Sequence, residues 1–405
     1  MAEGARPAGI LIDISRTLSR LGAGEPTGVD RVERAYIDWA LARPEPSHFL
    51  ARVPGGHILL DAEGMTALLQ GPLAHDIFSR VAPWRDPGRR RAEATGRRRA
   101  RAWLPGNRLR GLSRHLPAGF IALNVGHSNQ RAEVYGALRT AGAVQVVTLI
   151  HDVIPLDYPE YTRPDTVARF ARNLRAAGEG SDLLIYNSDY TAERTAARLR
   201  AWGIERMGVT AHLGLTPAPP IARAASEAAE FVMLGTIEPR KNHLLPLSIW
   251  RQFHDAPPSL PPHLHIIGRV GWENEQVLDI LSRAPFIGQT VFQHGFLDDA
   301  ALTHRLARAR ALLFPSFVEG FGLPLLEARA LGLPVLASDI PPFREIADGH
   351  VTLLDPTDGP AWKRAILDLT TGSVHGEQRG TGMAELPSWD AHFAQIVAAL
   401  GLDTK

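Results

Sequence analysis

The segment Phe314-Pro-Ser-Phe-Val-Glu-Gly-Phe-Gly-Leu-Pro-Leu-Leu-Glu327 decides the fold class of this chain. Residues 311–314 form an apolar run that predicts a strand, and a glycine-containing turn follows it. Pro324 suits the first position of a helix, because its φ is fixed and it has no N–H to leave unpaired. We therefore predict a helix over residues 324–331 whose N-terminus points out of the carboxyl edge of a parallel α/β sheet.

The same segment places two carboxylates beside a predicted anion-binding helix start. Backbone N–H groups near Gly322 and Leu323 converge there, and the helix dipole favours negative charge. Glu319 lies in the turn and Glu327 in the first helical turns. Carboxylates at such positions accept hydrogen bonds from hydroxyls, such as those of sugars and ribose. The alternative interpretation is a turn that carries two surface acids.

The length and composition of the chain indicate two globular domains. A chain of 405 residues exceeds what one hydrophobic core usually serves. Its 45% hydrophobic and 21% charged residues exclude the disordered and fibrous classes, and the lack of cysteine excludes disulfide scaffolds and thiolate chemistry. The N-terminus lacks signal-peptide features, and no apolar run approaches the ~20 residues that span a bilayer. We expect a cytoplasmic protein, with any contact to the inner face of the plasma membrane peripheral.

Strand and helix patterns alternate along both halves, which predicts two doubly wound α/β domains that face a central cleft. We assign residues 1–212 to an N-terminal Rossmann-like domain and 230–386 to a C-terminal one. The proline- and alanine-rich stretch 213–229 is the predicted linker, and 387–405 is a C-terminal helix that packs back on the first domain. The predicted strands are 10–14, 144–150, 183–186, 231–236, 264–268, 291–294, 311–314 and 335–338; the predicted helices are 27–40, 244–253, 301–309, 324–331 and 362–369.

An arginine-rich segment interrupts the first half. Between Arg85 and Arg114 the sequence holds eleven arginines and two acids, while the whole chain has a net charge of +1. Such a segment suits the phosphates of nucleic acid, anionic lipid or an anionic acceptor; the alternative is a solvated, mobile loop. Trp103 is the one aromatic residue within it, and a stacking platform for nucleic acid needs more. We therefore expect no nucleic-acid partner.

Several motifs together resemble retaining GT-B glycosyltransferases of family 4. Glu319 and Glu327, seven residues apart, resemble the E-x7-E signature of that family. The likeness covers nearly the whole chain, more loosely before residue 140, and the arginine-rich segment matches no family element. The other stretches that resemble family motifs are Gly235-Thr-Ile-Glu-Pro-Arg-Lys-Asn-His243, Thr27-Gly-Val-Asp-Arg-Val32, His151-Asp-Val-Ile-Pro155 and Asn187-Ser-Asp-Tyr-Thr191.

The resemblance implies a role for each matched residue. Arg240 and Lys241 neutralise the donor diphosphate, in agreement with the charge argument that cations at a helix start need an anion. Glu319 contacts the donor sugar, Glu327 accepts from the ribose, and His151 binds the sugar. Together these predict catalytic residues Glu319, His151, Arg240 and Lys241; donor-binding residues Gly28, Arg240, Lys241, Phe296, Glu319, Gly320, Phe321, Gly322, Leu323 and Glu327; and acceptor-side residues Asp152 and Ser188.

The activity implied by the resemblance is retaining transfer of a sugar from a nucleotide diphosphate donor to a glycan or polyprenyl-diphosphate-linked acceptor. The stretches DISR and TGVDRVER look most like mannosyltransferases of polysaccharide and O-antigen assembly, so GDP-mannose is the first candidate. Rhamnosyl, fucosyl and glucosyl donors remain open, as does a catalytically silent GT-B scaffold. The sequence has no D-x-D metal motif, so we expect no metal and no cofactor. A possible further partner is an anionic membrane surface, through Arg85 to Arg114.

Overall fold

Two sheets organise the residues that the structure, a computed structural model, describes: 7–22, 27–74, 86–106, 109–215, 228–295, 297–372 and 386–402. Each sheet belongs to a separate unit. The first unit comprises Met1–Leu156, Asp165–Leu213 and Trp389–Lys405, and the second comprises Asp157–Pro164 and Gly214–Ser388.

The sheet of the first unit has eight strands and a mixed direction. Its strands are β1 (Ile10–Asp13), β2 (Ser47–Val53), β3 (Gly56–Asp61), β4 (Ala102–Pro105), β5 (Ile121–Asn124), β6 (Gln145–Ile150), β7 (Leu183–Tyr186) and β8 (Met207–Thr210). They lie in the order β4-β3-β2-β1-β5-β6-β7-β8. Strands β2, β1, β5, β6, β7 and β8 run parallel, whereas β3 and β4 add antiparallel at the β2 edge.

The helices of this region connect the strands and cover the sheet. They are α1 (Ser15–Arg20), α2 (Gly28–Ala42), α3 (Ala62–Gln70), α4 (Pro87–Arg99), α5 (Ala132–Thr140), α6 (Ile154–Asp157), α7 (Pro164–Gly180) and α8 (Asp189–Ala201). All four residues of β1 are buried. A parallel strand covered on both faces has to be apolar on both, and the run ILID meets that demand with one acid at its end.

The sheet of the second unit is entirely parallel. Its strands are β9 (Glu230–Leu234), β10 (His263–Ile267), β11 (Val291–His294), β12 (Ala311–Phe314), β13 (Val335–Ser338) and β14 (Val351–Leu354). They lie in the order β11-β10-β9-β12-β13-β14, so the strand order reverses between β9 and β12. The helices are α9 (Leu244–Asp255), α10 (Glu275–Arg283), α11 (Asp299–Arg308), α12 (Leu323–Ala330), α13 (Pro341–Ile346) and α14 (Gly359–Thr371). This is the doubly wound Rossmann order, which places ligands outside the carboxyl ends of the strands that flank the reversal.

A last helix, α15 (Trp389–Leu400), belongs to the first unit and packs on α2. The Tyr36 hydroxyl lies 2.8 Å from Nε2 of His392, and the ring of Phe393 stacks on Trp39 with centroids 5.1 Å apart. Nδ1 of His392 lies 3.2 Å from the carbonyl oxygen of Ala211. A carbonyl oxygen only accepts, so Nδ1 carries the proton and Nε2 accepts from Tyr36.

One segment belongs to a different unit from the predicted one. Asp157–Pro164, predicted within the first domain, belongs to the second unit. The reason is packing: the Tyr161 ring stacks on Phe317, with centroids 5.6 Å apart and an interplanar angle of 1°. Of the predicted linker, Leu215 forms an isolated bridge with Ser388, and residues 216–227 lie outside the described residues.

The described part of the arginine-rich segment is largely a helix and not a loop. Asp86 caps α4 by accepting from the Arg89 N–H at 2.8 Å, and Pro87 occupies its first turn. Its residues 92–96 are buried, and the helix packs against α1 and α3. The Arg97 guanidinium stacks over the Trp103 ring, 4.1 Å from the centroid. Arg85 and Arg108 lie outside the described residues. No helix within the described ranges has both the length and the apolar character to cross a membrane.

Candidate functional site

The reversal of strand order in the second unit brings two turns together at the carboxyl edge of its sheet. Strands β9 and β12 are parallel neighbours there. The turn after β9 contains a short 3-10 helix, Pro239–Lys241, and the turn after β12 contains Glu319. The Phe317 N–H donates to the Arg240 carbonyl oxygen at 2.8 Å, which ties the two turns to each other. The predicted basic pair and the predicted acid therefore meet at the place where doubly wound sheets bind ligands.

Glu319 is the centre of a buried charge cluster. Its Oε1 accepts from Lys241 Nζ at 2.5 Å and from Ser316 Oγ at 2.8 Å, and its Oε2 accepts from Arg240 Nη1 at 2.5 Å. Its side chain is 9% exposed. Burial alone raises the pKa of Glu319, but Arg240 and Lys241 outweigh burial and lower that pKa to about 2. The carboxylate is therefore charged throughout the neutral range.

The two cations have a second acid beside them. Arg240 Nη2 lies 2.5 Å from Oε1 of Glu238, a residue that is 3% exposed. Burial raises the pKa of Glu238, and the neighbouring cations oppose that rise. Burial lowers the pKa of Lys241, while Glu319 favours its charged form. The cluster thus holds two cations against one firmly ionised carboxylate and a second carboxyl whose ionisation burial disfavours.

Glycine at position 322 sets the direction of helix α12. Gly322 is the N-cap and has a φ of 119°. A Cβ built there would lie 2.7 Å from Cε1 of Phe343, so both the backbone conformation and the space require glycine. The helix begins at Leu323, one residue before the predicted start, and Pro324 takes its second position. At the second helical position, as at the first, a backbone N–H has no partner within the helix. Proline therefore removes no helical hydrogen bond there.

The other predicted donor-site residues surround this turn. Phe321 is 4% exposed and Gly320 is half-buried, while Glu327 is half-buried in the second turn of α12. Phe296 lies outside the described residues. Sequence reasoning missed Glu238 and Ser316. Both lie close to predicted residues, in the stretches EPRK and FPSF, where a polar side chain follows the end of a buried strand.

The remaining predicted residues lie in the first unit. His151 follows β6 and is 5% exposed. Its Nε2 lies 2.7 Å from the Val125 carbonyl oxygen, and its backbone N–H donates to Nε2 of His127 at 3.0 Å. Burial lowers the pKa of His151 to about 3 and that of His127 to about 4, so both rings are neutral near pH 7. His151 therefore carries its proton on Nε2 and keeps Nδ1 as an acceptor.

Two predicted acceptor-side residues have local structural roles. Ser188 has no exposed surface, and its Oγ accepts from the Thr191 N–H at 3.0 Å as the N-cap of α8. This hydroxyl is occupied as a helix cap, and the acceptor contact predicted for Ser188 stays a prediction. Asp152 is half-buried and accepts from the Ile154 N–H at 3.0 Å at the start of α6. Gly28 is the first residue of α2, directly after the N-cap Thr27.

No group of three or more His, Cys, Asp or Glu residues within the described ranges is arranged to hold a metal ion. The cations that pair with Glu319 in this cluster are Arg240 and Lys241.

Comparison with solved structures identifies the fold class of the chain. A solved structure of HepE from Anabaena in complex with UDP matches 98% of this chain and 96% of its own, with a TM-score of 0.56 and 14% identity. At that identity the match shows the fold alone, and the fold is GT-B, which confirms the prediction of two Rossmann-like domains. Residues 219–380 match the model of the family described as glycosyl transferases group 1.

Two curated relatives narrow the comparison. The serotype-specific mannosyltransferase WbdA of Escherichia coli is 34% identical over 236 residues, which are 53% of this chain and 28% of WbdA. The O-antigen chain mannosyltransferase B of Escherichia coli is 27% identical over 281 residues, 64% of this chain and 70% of that protein. The chain thus spans little more than a quarter of the length of WbdA. These matches confirm the resemblance to mannosyltransferases of O-antigen assembly.

Proposed function

We propose that this chain is a retaining glycosyltransferase that transfers mannose from a nucleotide diphosphate donor, GDP-mannose first, to a glycan or lipid-linked acceptor in O-antigen-type assembly. One observation carries the proposal: Arg240 and Lys241 meet at the carboxyl edge of a doubly wound sheet, held by the buried carboxylate of Glu319. The relationship to O-antigen mannosyltransferases supports mannose as the sugar.

The cluster suits the departure of a nucleoside diphosphate. When the bond from the anomeric carbon to the phosphate oxygen breaks, negative charge builds on the leaving phosphate. Arg240 and Lys241 would stabilise that charge, aided by the N-terminus of α12. Glu319 acts as a positioning residue in this scheme, since it accepts from both cations and keeps them at the strand ends. Fixed charges need no reorganisation at the moment of reaction.

A front-face route accounts for retention without a protein nucleophile. In this step the bond between the anomeric carbon and the leaving oxygen breaks, and the acceptor oxygen forms its bond on the same face. The acceptor's hydroxyl proton passes to the leaving phosphate oxygen, so charge and atoms balance. Glu319 is committed to three donors and has a pKa of about 2, which makes it a poor base and supports assigning the proton to the phosphate.

His151 would accept from a sugar hydroxyl. Its Nε2 is committed to the Val125 carbonyl, so Nδ1 is the nitrogen that can accept a hydrogen bond. Burial lowers the pKa of His151 and keeps the ring neutral, and the Val125 carbonyl oxygen holds it in that tautomer. This role positions the donor sugar without a proton transfer by the histidine.

We propose that the reaction needs neither a metal nor a cofactor. A divalent metal serves in many transferases to neutralise a diphosphate, and two cationic side chains at the strand ends can supply the same charge. Omission of divalent ions with excess EDTA should leave the transfer rate within about twofold, whereas a loss that added Mg²⁺ or Mn²⁺ restores would overturn this part.

The donor assignment is testable with a matched pair of lysine variants. Purified protein is incubated with GDP-mannose, GDP-fucose, dTDP-rhamnose or UDP-glucose and a polyprenyl-diphosphate-linked glycan, and the product linkage is determined by NMR. We expect transfer of mannose with an α-linkage, retained from the donor. Lys241→Met should abolish both transfer and stabilisation by GDP. Lys363→Met should preserve both, because Lys363 donates to Gln252 at 2.9 Å and lies over the Phe253 ring, and it makes no bond to Glu319.

Three results would count against the proposal. A β-linked product would overturn retention. Transfer from another nucleotide sugar but not from GDP-mannose would overturn the donor. Binding of nucleotide with no transfer to any acceptor would favour the catalytically silent scaffold.

We also propose that the arginine-rich segment meets anionic membrane surfaces. Arg91, Arg98, Arg99 and Arg101 are exposed on or beside α4. Co-sedimentation with phosphatidylglycerol-containing vesicles should be strong at low salt and fall steeply at high salt, since surface charges are screened there. Binding that does not depend on salt would contradict this assignment.

A further inference from the structure

A ligand-sized cavity lies wholly within the first unit, at the reversal of strand order in its own sheet. Strands β2 and β5 flank β1 in the sheet. After β1 the chain continues to β2 on one side, and after β5 it continues to β6 on the other side. The cavity has a volume of about 680 Å³ at the carboxyl ends of these strands. Ser15 after β1, Arg52 on β2 and residues 127–131 after β5 line it. Its position is that of a ligand site in a doubly wound sheet.

The wall of this cavity is strongly cationic. Arginines from separate elements converge on it: one from β2, one from the arginine-rich helix α4, one from the N-cap of α5 and two from α7. They are Arg52, Arg89, Arg131, Arg169 and Arg172. Among the described lining residues Glu133 is the one acid. The arginine-rich segment therefore contributes Arg89 to a built cavity, a use that its sequence alone does not reveal.

Part of this charge is already compensated and part is not. Arg89 Nε lies 3.0 Å from Glu93, and Arg169 lies 3.6 Å from Asp165. Arg172, one helical turn after Arg169, has no ion-pair partner among the described residues. Several like charges that converge on one cavity repel each other, so an anion that enters it relieves that repulsion.

Buried polar groups in the wall also lack partners. Nε2 of Gln130, a residue that is 5% exposed, and Nε of Arg131 have no hydrogen-bond partner among the described residues. Both are donors, which suits an anion and not a cation. The loop that carries them is held in strained backbone conformations, with φ of 53° at His127 and 60° at Asn129. Asn129 Nδ2 donates to Asp13 Oδ2 at 2.7 Å and fixes the loop to the end of β1. Such strain persists where surrounding structure enforces it, often at ligand sites.

We propose that this cavity binds the diphosphate group of the acceptor, next to the sugar that receives the transferred residue. The identification of the anion as part of the acceptor rests on the proposed glycosyltransferase function. The existence of an anion site in this cavity does not depend on that function. Arginine forks match phosphate oxygens in two-point contacts, and a diphosphate offers oxygens to several of them at once. The lining is mostly polar, with Ala132 and Ala176 as its apolar members, so a lipid tail has no matching surface inside the cavity.

Direct binding of inorganic pyrophosphate tests the site without any transfer reaction. Titration calorimetry is performed on wild type, on Arg131→Gln/Arg172→Gln and on the control Arg200→Gln, which removes an exposed arginine on α8 outside the cavity. All three are also measured in a Lys241→Met background, which weakens the separate cation cluster of the second unit. We expect the double variant to bind about 100-fold more weakly, tenfold for each arginine, and the control to match wild type.

A single variant tests the site even if the double variant does not fold. Arg172 is exposed and Arg172→Gln should fold normally while it weakens pyrophosphate binding about tenfold. Equal affinity in Arg172→Gln, the double variant and Arg200→Gln would overturn the proposal. So would an absence of pyrophosphate binding in the Lys241→Met background.

Three probes separate the sources of the phosphate. A diphosphate-linked acceptor is supported if farnesyl diphosphate and pyrophosphate bind with similar affinity and inorganic phosphate binds at least tenfold more weakly. Equal affinity for phosphate and pyrophosphate overturns the assignment of a diphosphate and indicates a ligand with a single phosphate on a glycan. If pyrophosphate binds as expected but no sugar donor supports transfer, the anion site stands and the glycosyltransferase proposal fails.

Discussion

Lys241 Nζ lies 2.5 Å from Oε1 of Glu319, although the two residues are 78 positions apart in the chain. Both side chains are 9% exposed. One follows β9 and the other follows β12, so the pair exists because these strands are neighbours in the sheet. The relationship makes the acid and the cations of the site a single electrostatic unit.

Glu319→Gln should damage stability and transfer together. The amide can accept from one cation and presents N–H groups to the other, which leaves a buried charge without compensation. Removal of one partner from a buried ion pair typically costs about 3–5 kcal/mol. We expect a loss of that size in urea unfolding and a transfer rate lower by about 100-fold, whereas Glu193→Gln on the exposed face of α8 should change neither.

The same variant has a distinctive acid dependence. The pKa of Glu319 is lowered from 4.5 to about 2, so its contribution to stability is present above about pH 4.5 and is lost as pH falls through about 2. The stability gap between wild type and Glu319→Gln should therefore close between pH 4.5 and 2. A gap that stays constant over this range would show that the variant acts through packing and not through charge.

Glu33 should make the first unit less stable in alkaline solution. Its side chain is fully buried and accepts from the Thr17 N–H at 2.5 Å, and burial raises its pKa to about 8. The stability from its protonated form is complete below the usual range near 4.5 and is lost as pH rises through about 8. Glu33→Gln should remove this loss and exceed wild type at pH 9 by a few kcal/mol, because one pKa unit is worth about 1.4 kcal/mol.

Urea unfolding of Glu33→Gln at pH 5 and pH 9 measures this effect, with Glu193→Gln as the matched control. The prediction fails if wild type and Glu33→Gln lose stability equally over that range.

Gly322→Ala should displace the start of α12. The alanine has to adopt a φ of 119° and its Cβ meets Phe343 at 2.7 Å, so we expect destabilisation of about 1–3 kcal/mol. Stabilisation by GDP in a thermal-shift assay should weaken as well, since the helix N-terminus moves. Gly349→Ala is the control, because a Cβ there meets nothing within 4 Å. Equal melting temperatures of the two variants would contradict the proposed constraint.

Tyr36→Phe should loosen α15 from the first unit. It leaves Nε2 of the buried His392 without its donor, an expected cost of about 1–3 kcal/mol. Hydrogen exchange of residues 389–400 should accelerate in this variant. Tyr161→Phe keeps its ring stacked on Phe317 and should leave that exchange unchanged. Unaltered protection of α15 in Tyr36→Phe would show that apolar packing alone holds the helix.

The central residues of the candidate site were accessible to sequence reasoning, while their partners were not. Arg240, Lys241 and Glu319 occur in turns with clear strand, glycine and proline signals. Glu238 and Ser316 lie in the same two turns, but a polar side chain just after a strand does not by itself show that it is buried against the cation cluster. At Ser188 the motif marked a position, while only the structure shows that the side chain is buried and caps α8.

The sequence alone determined the two α/β units, five of the six strands of the second, three of the eight strands of the first and, to within one residue, the helix start after β12. These features could be predicted because apolar runs, glycine and proline act on their own neighbourhood. The tertiary structure decided which strands, segments and side chains are neighbours. It placed β9 next to β12, added the antiparallel strands β3 and β4, moved Asp157–Pro164 to the second unit and gathered five arginines around one cavity. These pairings join residues far apart in the chain, and they depend on the order in which parallel strands assemble, which local periodicity does not encode.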